Sequence, residues 1–379
     1  MTGRVAAKRV LLFRPEMGDG GADRITLTVL ELLDRNKFMP MLALVRARGV
    51  LLSKVPSDVP IIDLGASRLV FAVPALARAI RRADPDIIFS TSGGGNAVAV
   101  AARMLARSRA RLVLSERSAV FRDTVSRRRR ALELPLKRFA YRHADLVTAV
   151  SDGVARELVE RLALPPALVR TVFNPVLTPG ADAAAREPVV DPWFAPDAIT
   201  PVFVACGRLV AQKDYPTMLA AFTRLRCTHD ARLAILGEGP LRASLEDRVR
   251  ALGLTAHVRF LGFDPNPLKY MARARALLQS SVVEGLPGVL IQAMGVGTPV
   301  IATDCNHGPR EVVRDGVDGW LVPVGDSDGI ARRAAQILDE PGLRERFAEA
   351  ARIAAKRFAF DVAMPVYERA LTGEPELAA

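Results

Sequence analysis

Two short stretches carry residue types that could hold a polyanion and a polyol side by side. The first is Gly207-Arg208-Leu209-Val210-Ala211-Gln212-Lys213-Asp214, which follows an apolar run and precedes a helical pattern opening near Tyr215. A helix N-terminus carries a positive partial charge, so cations there are misplaced unless an anion joins them. Arg208 and Lys213, together with free first-turn amides, would clamp a diphosphate. The plain alternative is two solvent-facing cations. Asp214 reads as the cap of the helix that follows.

The second stretch is Glu284-Gly285-Leu286-Pro287-Gly288-Val289-Leu290-Ile291-Gln292-Ala293-Met294. Gly285 and Gly288 let backbone approach a ligand closely, and Pro287 suits a first helical position. Glu284 before the helix and Gln292 one turn inside it can both hydrogen-bond hydroxyl groups, the charged Glu strongly. Two further features stay open or bland. Asp326-Ser327-Asp328 could hold a divalent ion, but an N-cap is the simpler reading. His307, before Gly308-Pro309-Arg310-Glu311, could be structural or could line a sugar pocket.

Such residues need rigid elements behind them. Apolar runs at Arg9–Arg14, Met41–Val45, Ile61–Leu64, Asp86–Phe89, Leu112–Leu114, Leu146–Val150 and Val169–Phe173 read as strands. Helical patterns fill the gaps, among them Asn96–Ala106 and Ser151–Leu162, the latter capped by Ser151 or Asp152. Six prolines and glycines between 174 and 200 break the rhythm and mark a linker. Alternation restarts at Val202–Cys206 and continues through Leu233–Leu236, Val258–Leu261, Ala276–Leu278 and Val300–Ala302, before a helical tail from about Ile330 to Leu371. This predicts α/β architecture: two doubly wound parallel-sheet domains in series, with ligands beyond the carboxyl ends of the strands.

Length agrees, since 379 residues exceed the roughly 250–300 at which single cores stop growing. The net charge of +12 is lopsided: residues 1–190 hold 31 Lys and Arg against 18 Asp and Glu, whereas 191–379 hold 22 against 23. The densest basic stretch, residues 117–142, interleaves Arg127–Arg130, Lys137, Arg138 and Arg142 with Leu132, Leu134, Leu136, Phe139 and Tyr141. It could lie on an anionic membrane surface or be a solvated helix face. With 6% aromatic residues and no recognisable motif, nucleic acid is not an expected partner. Three scattered cysteines, four unclustered histidines and no apolar run of spanning length predict a cytoplasmic protein without disulfides or a metal.

The stretch from Glu284 to Val324 resembles the signature of family 4 of the retaining glycosyltransferases. Gly20-Gly21-Ala22-Asp23-Arg24, the run from Gly207, Leu236-Gly237-Glu238-Gly239-Pro240 and Phe260-Leu261-Gly262-Phe263 match too, so the resemblance covers nearly the whole chain. It implies the GT-B fold, two Rossmann-like domains facing a cleft, divided here as 1–180, a linker at 181–200, and 201–360. A final segment, 361–379, would pack back on the first domain.

The resemblance further implies transfer of a hexosyl or N-acetylhexosaminyl group, with retention, from a nucleotide-diphosphate sugar. A UDP-sugar is the expected donor, and neither cofactor nor metal is expected. Glu284, Arg208 and Lys213 would be the catalytic residues. Amides of Gly21 and of Leu286, Pro287, Gly288, Val289 and Leu290 would surround the donor (proline contributing only contact), with Gln292 at the ribose and Gly262 and Phe263 near the base. Gly20, Arg24, Asn96, Glu116 and Arg117 are the candidates on the acceptor side. The acceptor would be lipid-linked or anionic, at the inner face of the plasma membrane.

Two departures stand out. The family usually has a second Glu where this chain has Gln292, and an amide accepts and donates where a carboxylate only accepts. Many members also carry a His where this chain reads Ser115-Glu116-Arg117-Ser118. A partner that binds the donor without turnover, or a sugar-nucleotide epimerase of the same fold, are the competing readings.

Overall fold

The structure, a computed structural model, describes residues 6–18, 20–118 and 127–375, the side chains of 127–133 excepted. The chain divides into two compact units, one joining Met1–Pro175 to Phe360–Ala379 and the other formed by Val176–Ala359.

In the first unit, strands β1 (Lys8–Arg14), β2 (Phe38–Leu44), β3 (Ile61–Asp63), β4 (Ile87–Ser90), β5 (Arg111–Glu116), β6 (Leu146–Ala149) and β7 (Val169–Thr171) form one parallel sheet in the order β3-β2-β1-β4-β5-β6-β7. Val10, Leu11, Leu12 and Phe13 are wholly buried. Apolar side chains on both faces of a strand are what a parallel sheet covered by helices on both sides requires. Those helices include α1 (Gly21–Leu32), α2 (Val73–Ala83), α3 (Gly93–Ala106), α4 (Arg127–Arg142) and α5 (Asp152–Glu160). Ser151 caps α5, its hydroxyl accepting from the Val154 amide. Because β1 has β2 on one side and β4 on the other, the winding reverses there, and the carboxyl ends of β1 and β4 frame a crevice.

The second unit repeats the plan. Strands β8 (Val202–Cys206), β9 (Arg232–Leu236), β10 (Val258–Gly262), β11 (Leu277–Gln279), β12 (Val300–Thr303) and β13 (Trp320–Val322) lie parallel in the order β10-β9-β8-β11-β12-β13. Its helices are α6 (Ala181–Arg186), α7 (Tyr215–Arg226), α8 (Arg242–Ala251), α9 (Leu268–Met271), α10 (Gly288–Gly295), α11 (Pro309–Val312), α12 (Ser327–Asp339) and α13 (Leu343–Ala355). Here the winding reverses between β8 and β11. Strand β13 has no counterpart in the sequence reading, being only three residues long and paired through Ile301 opposite Trp320. Asp326 caps α12 by accepting from the Gly329 amide at 2.8 Å.

The stretch 181–200 is more than a connector. It contains α6 and a short 3-10 turn, Pro192–Phe194, whose Trp193 and Phe194 are buried. Arg259 lies 4.2 Å over the Trp193 ring and pairs with Asp191 at 2.8 Å. The prolines that suggested a linker punctuate a segment of the second unit. The last helix, α14 (Phe360–Thr372), groups instead with the first unit. It delivers Met364, Tyr367, Ala370 and Leu371 to that unit's core, where the Tyr367 hydroxyl donates to Asn174 Oδ1 at 2.9 Å.

Candidate active site

The residues of the second unit meet where its winding reverses. Arg208 follows β8 and Glu284 follows β11, so both loops leave the sheet at the crevice the topology creates. The loops are stitched together. Gln212 Nε2 donates to the Val283 carbonyl at 2.7 Å, the Val282 amide to the Gln212 carbonyl at 2.9 Å, and Ser280 Oγ to the carbonyl oxygens of Lys213 and Asp214, both at 2.8 Å. Asp214, at φ 43°, caps α7 through Thr217. The Leu236–Pro240 loop braces the other side. A side chain at Gly237 would stand 2.1 Å from the Gly207 carbonyl oxygen, so only glycine lets the two backbones pass.

This bracing sets Lys213 Nζ 2.5 Å from Glu284 Oε1, an oxygen that also accepts from Gln279 Nε2 at 3.0 Å. Glu284 is 8% exposed. An ammonium has three donors, and one is committed to Glu284; among the described residues Glu284 Oε2 takes no hydrogen bond. Arg208 is exposed and forms no ion pair among the described residues. Burial, with Glu284 close by, pushes the Cys305 thiol up to about 12, which keeps it neutral. Pro287 occupies the N-cap of α10, one position earlier than expected, so Gly288, Val289 and Leu290 form the first turn. The Leu290 amide already donates to the Pro287 carbonyl at 3.0 Å, which leaves those of Gly288 and Val289 without a backbone partner among the described residues. Leu286 precedes the cap. Gln292 is half-buried, and its amide group bonds no described residue. Gly262 ends β10, its carbonyl accepting from the Gly237 amide, and Phe263 beside it is 45% exposed.

The first unit's candidates gather at its own crevice, mostly facing inward. Gly20 caps α1 and Gly21 opens it. A side chain added at Gly21 would meet nothing within 4 Å, although glycine in a helix folds about 1 kcal/mol worse than alanine. Arg24 is half-buried one turn further on. Glu116 is 1% exposed at the end of β5, where Oε2 accepts from the Tyr141 hydroxyl at 2.6 Å and pairs with Lys137 at 2.6 Å. Asn96, fully buried, donates to the Tyr141 hydroxyl and to the Ser115 carbonyl. Arg117 directs its guanidinium to the Ala22 carbonyl at 2.8 Å and Thr26 Oγ1 at 3.3 Å, inside the unit.

The basic stretch is thus divided. Lys137 turns in to Glu116, and Tyr141 is buried with its hydroxyl pushed up by burial and by that carboxylate. Leu136 and Phe139 are exposed beside Arg138 and Arg142. Residues 119–126 and the side chains of Arg127–Arg130 and Leu132 lie outside the described residues. Sequence reasoning missed Lys137, Tyr141 and Gln279 as partners of site carboxylates. It also missed Arg14, the charge that ends β1 after four apolar residues, and Asp23, three residues past the cap, where a carboxylate can accept from the cap residue's own amide.

Comparisons with known proteins bear on the family and the fold. Residues 19–178 match the profile described as Glycosyltransferase Family 4, and residues 195–354 match that of Glycosyl transferases group 1. Over 362 residues, 92% of this chain and 94% of the relative, the sequence is 28% identical to the N-acetylgalactosamine-N,N'-diacetylbacillosaminyl-diphospho-undecaprenol 4-alpha-N-acetylgalactosaminyltransferase of Campylobacter jejuni. It is 31% identical over 217 residues to the lipopolysaccharide core biosynthesis glycosyltransferase LpsE of Rhizobium meliloti, a match covering 57% of this chain and 61% of that one. Among solved structures, Anabaena HepE in complex with UDP-glucose superimposes with a TM-score of 0.80 at 20% identity, covering 95% of this chain and 98% of that one. Matched along both halves and built on two parallel sheets wound in the same sense, the chain belongs to glycosyltransferase family 4 and has the GT-B fold.

Proposed function

We propose that this glycosyltransferase moves a hexosyl or N-acetylhexosaminyl group from a UDP-sugar to an acceptor hydroxyl, with retention and without a metal, in the synthesis of a cell-surface polysaccharide or glycolipid. The observation that carries the reading is the Lys213–Glu284 pair at the second unit's crevice, with exposed Arg208 on the same loop as Lys213. As the bond from sugar to phosphate breaks, negative charge grows on the diphosphate. Arg208, the remaining donors of Lys213 and the Gly288 and Val289 amides at the start of α10 stabilise that charge, and this is where they lower the barrier. Glu284 Oε2 accepts from a donor-sugar hydroxyl while Oε1 stays with Lys213. Gln292 meets the ribose, accepting through its oxygen and donating through its nitrogen. Phe263 lies by the base. The leaving phosphate itself takes the acceptor proton as the new bond forms on the same face.

The Campylobacter relative is named for a diphospho-undecaprenol acceptor and the Anabaena structure holds UDP-glucose, which favour a lipid-linked acceptor and a uridine donor here. Among the described residues no helix is long and apolar enough to cross a membrane. A peripheral hold on the anionic inner face of the plasma membrane would use Leu136 and Phe139 with Arg138 and Arg142, and would weaken steeply with salt.

The first experiment is a thermal shift against UDP, GDP, ADP and their sugar conjugates, with and without EDTA. A ligand at 100 times its Kd adds about 2.7 kcal/mol to the folded state. An EDTA-insensitive rise with UDP and one UDP-sugar is expected. No rise with any nucleotide would overturn the donor assignment.

A further inference from the structure

We propose that Asp23, held by Arg14, is a positioning residue for sugar transfer: it fixes the Gly20–Gly21 turn so that the Gly21 amide faces the ligand. The inference rests on the nucleotide-sugar reading above and adds to it a strut inside the first unit.

The strut can be followed atom by atom. Arg14 ends β1 and is 6% exposed. Its Nη1 donates to the Thr91 carbonyl at 2.9 Å and to Thr91 Oγ1 at 3.1 Å, just past the end of β4. Its Nη2 forms a short ion pair with Asp23 Oδ1. The other carboxylate oxygen, Oδ2, accepts from the Gly20 amide at 3.2 Å. A rigid chain thus runs from the carboxyl ends of the two central strands, through a guanidinium and a carboxylate, to the amide just before Gly21.

Space around the turn tells the same story. A side chain at Gly18 or Gly20 would stand 3.2 or 3.1 Å from Asp23 Oδ2, so glycine at both positions makes room for the carboxylate. Gly20 does not need glycine for its backbone, which is extended at φ −69° and ψ 159°. Gly21 is the reverse case, with open space where a side chain would be. Among the described residues nothing requires glycine there, whereas a ligand approaching the backbone would.

The charges point to the same ligand class. Arg14 and Arg117 both bond within the first turn of α1, the end of a helix where cations are disfavoured, and Asp23 is the carboxylate the two share nearby. A second negative group at Gly21, such as a phosphate, completes the balance.

The test compares wild type, Asp23→Asn and Gly20→Ala in the full chain. Asp23→Asn keeps the shape but places an amide against Arg14. Gly20→Ala keeps every charge and pushes the carboxylate by a few tenths of an ångström. Three readouts are taken: the melting temperature, UDP binding by calorimetry, and the kcat and KM of UDP release from UDP-glucose, UDP-N-acetylglucosamine and UDP-N-acetylgalactosamine with a crude membrane lipid extract as acceptor source. The expected result is a kcat lower by about a hundredfold for Asp23→Asn, the scale of a misplaced binding group, with KM and UDP affinity unchanged. Gly20→Ala moves the same way by less. Folded variants with wild-type kcat would overturn the strut and leave the nucleotide-sugar reading standing. A fall in kcat matched by an equal loss of folded protein would also overturn it. Absence of UDP binding and UDP release in the wild type would overturn both. If Asp23→Asn does not fold, Gly20→Ala decides.

Discussion

In the second unit the cations at the crevice are left with capacity to spare, whereas in the first they are tied down. Arg208 is exposed without an ion pair among the described residues, and Lys213 leans on one carboxylate with two donors over. Arg14, Arg117 and Lys137 are bonded to backbone carbonyls, hydroxyls or carboxylates inside the fold. The residue types are the same and the places in the topology correspond, yet one set is arranged to receive charge and the other to hold loops. The lesson is that a basic residue at the end of a parallel strand declares its role by what it already touches. In the first unit, the excess of basic residues overstates how much positive charge is available to an acceptor.

The contrast can be broken most sharply at its two lysines. Lys213→Ala is expected to lower turnover by about 10²–10³-fold, the effect of removing one donor to a developing charge. Steady-state kinetics on folded protein decides it, and near-normal turnover would remove Lys213 from the clamp. Lys137→Ala should do the opposite, since it strands Glu116 in a buried setting at a cost of about 3–5 kcal/mol. Its melting temperature should drop by many degrees while the activity per folded molecule stays near wild type. A selective loss of activity instead would favour Glu116 as an acceptor-side residue and add Lys137 to it. Gly21→Ala sharpens the comparison from within the first unit. Stability should hold or rise by up to ~1 kcal/mol on thermal melting, while turnover falls about tenfold or more through loss of an amide contact to a charged group. The smallest effect is expected at Gln292→Glu. A restored charge-assisted bond should tighten UDP by roughly fivefold in calorimetry, about 1 kcal/mol.

Much of this was legible before any coordinates. Parallel strands buried on both faces appear as unbroken apolar runs, so β1, β4, β8 and β12 stand out from their neighbours. The glycine-bearing loops after β8 and β11 mark the crevice because glycine and helix-start residues cluster there. The pairings were not legible. Lys213 and Glu284 lie 71 positions apart, and their meeting depends on where β8 and β11 sit in the sheet. Arg117 and Ala22, 95 positions apart, meet only because β5 ends and α1 begins at the first unit's crevice. Composition misled at 181–200, where prolines hid the fact that Trp193 and Phe194 are core residues. Charge density misled at Lys137, whose direction along α4 depends on the buried carboxylate it meets.

The return of α14 to the first unit has a consequence for how the protein is born. Val176–Ala359 must be synthesised before Phe360–Ala379 can complete the core begun by Met1–Pro175. At about 5–20 residues per second, a ribosome takes roughly 10–40 s over that interval. Throughout it, the nascent first unit displays the apolar surface that Met364, Tyr367, Ala370 and Leu371 will cover. The half that is made second is therefore the first able to mature. The half that is made first must wait, and in that interval it is the natural client of a chaperone.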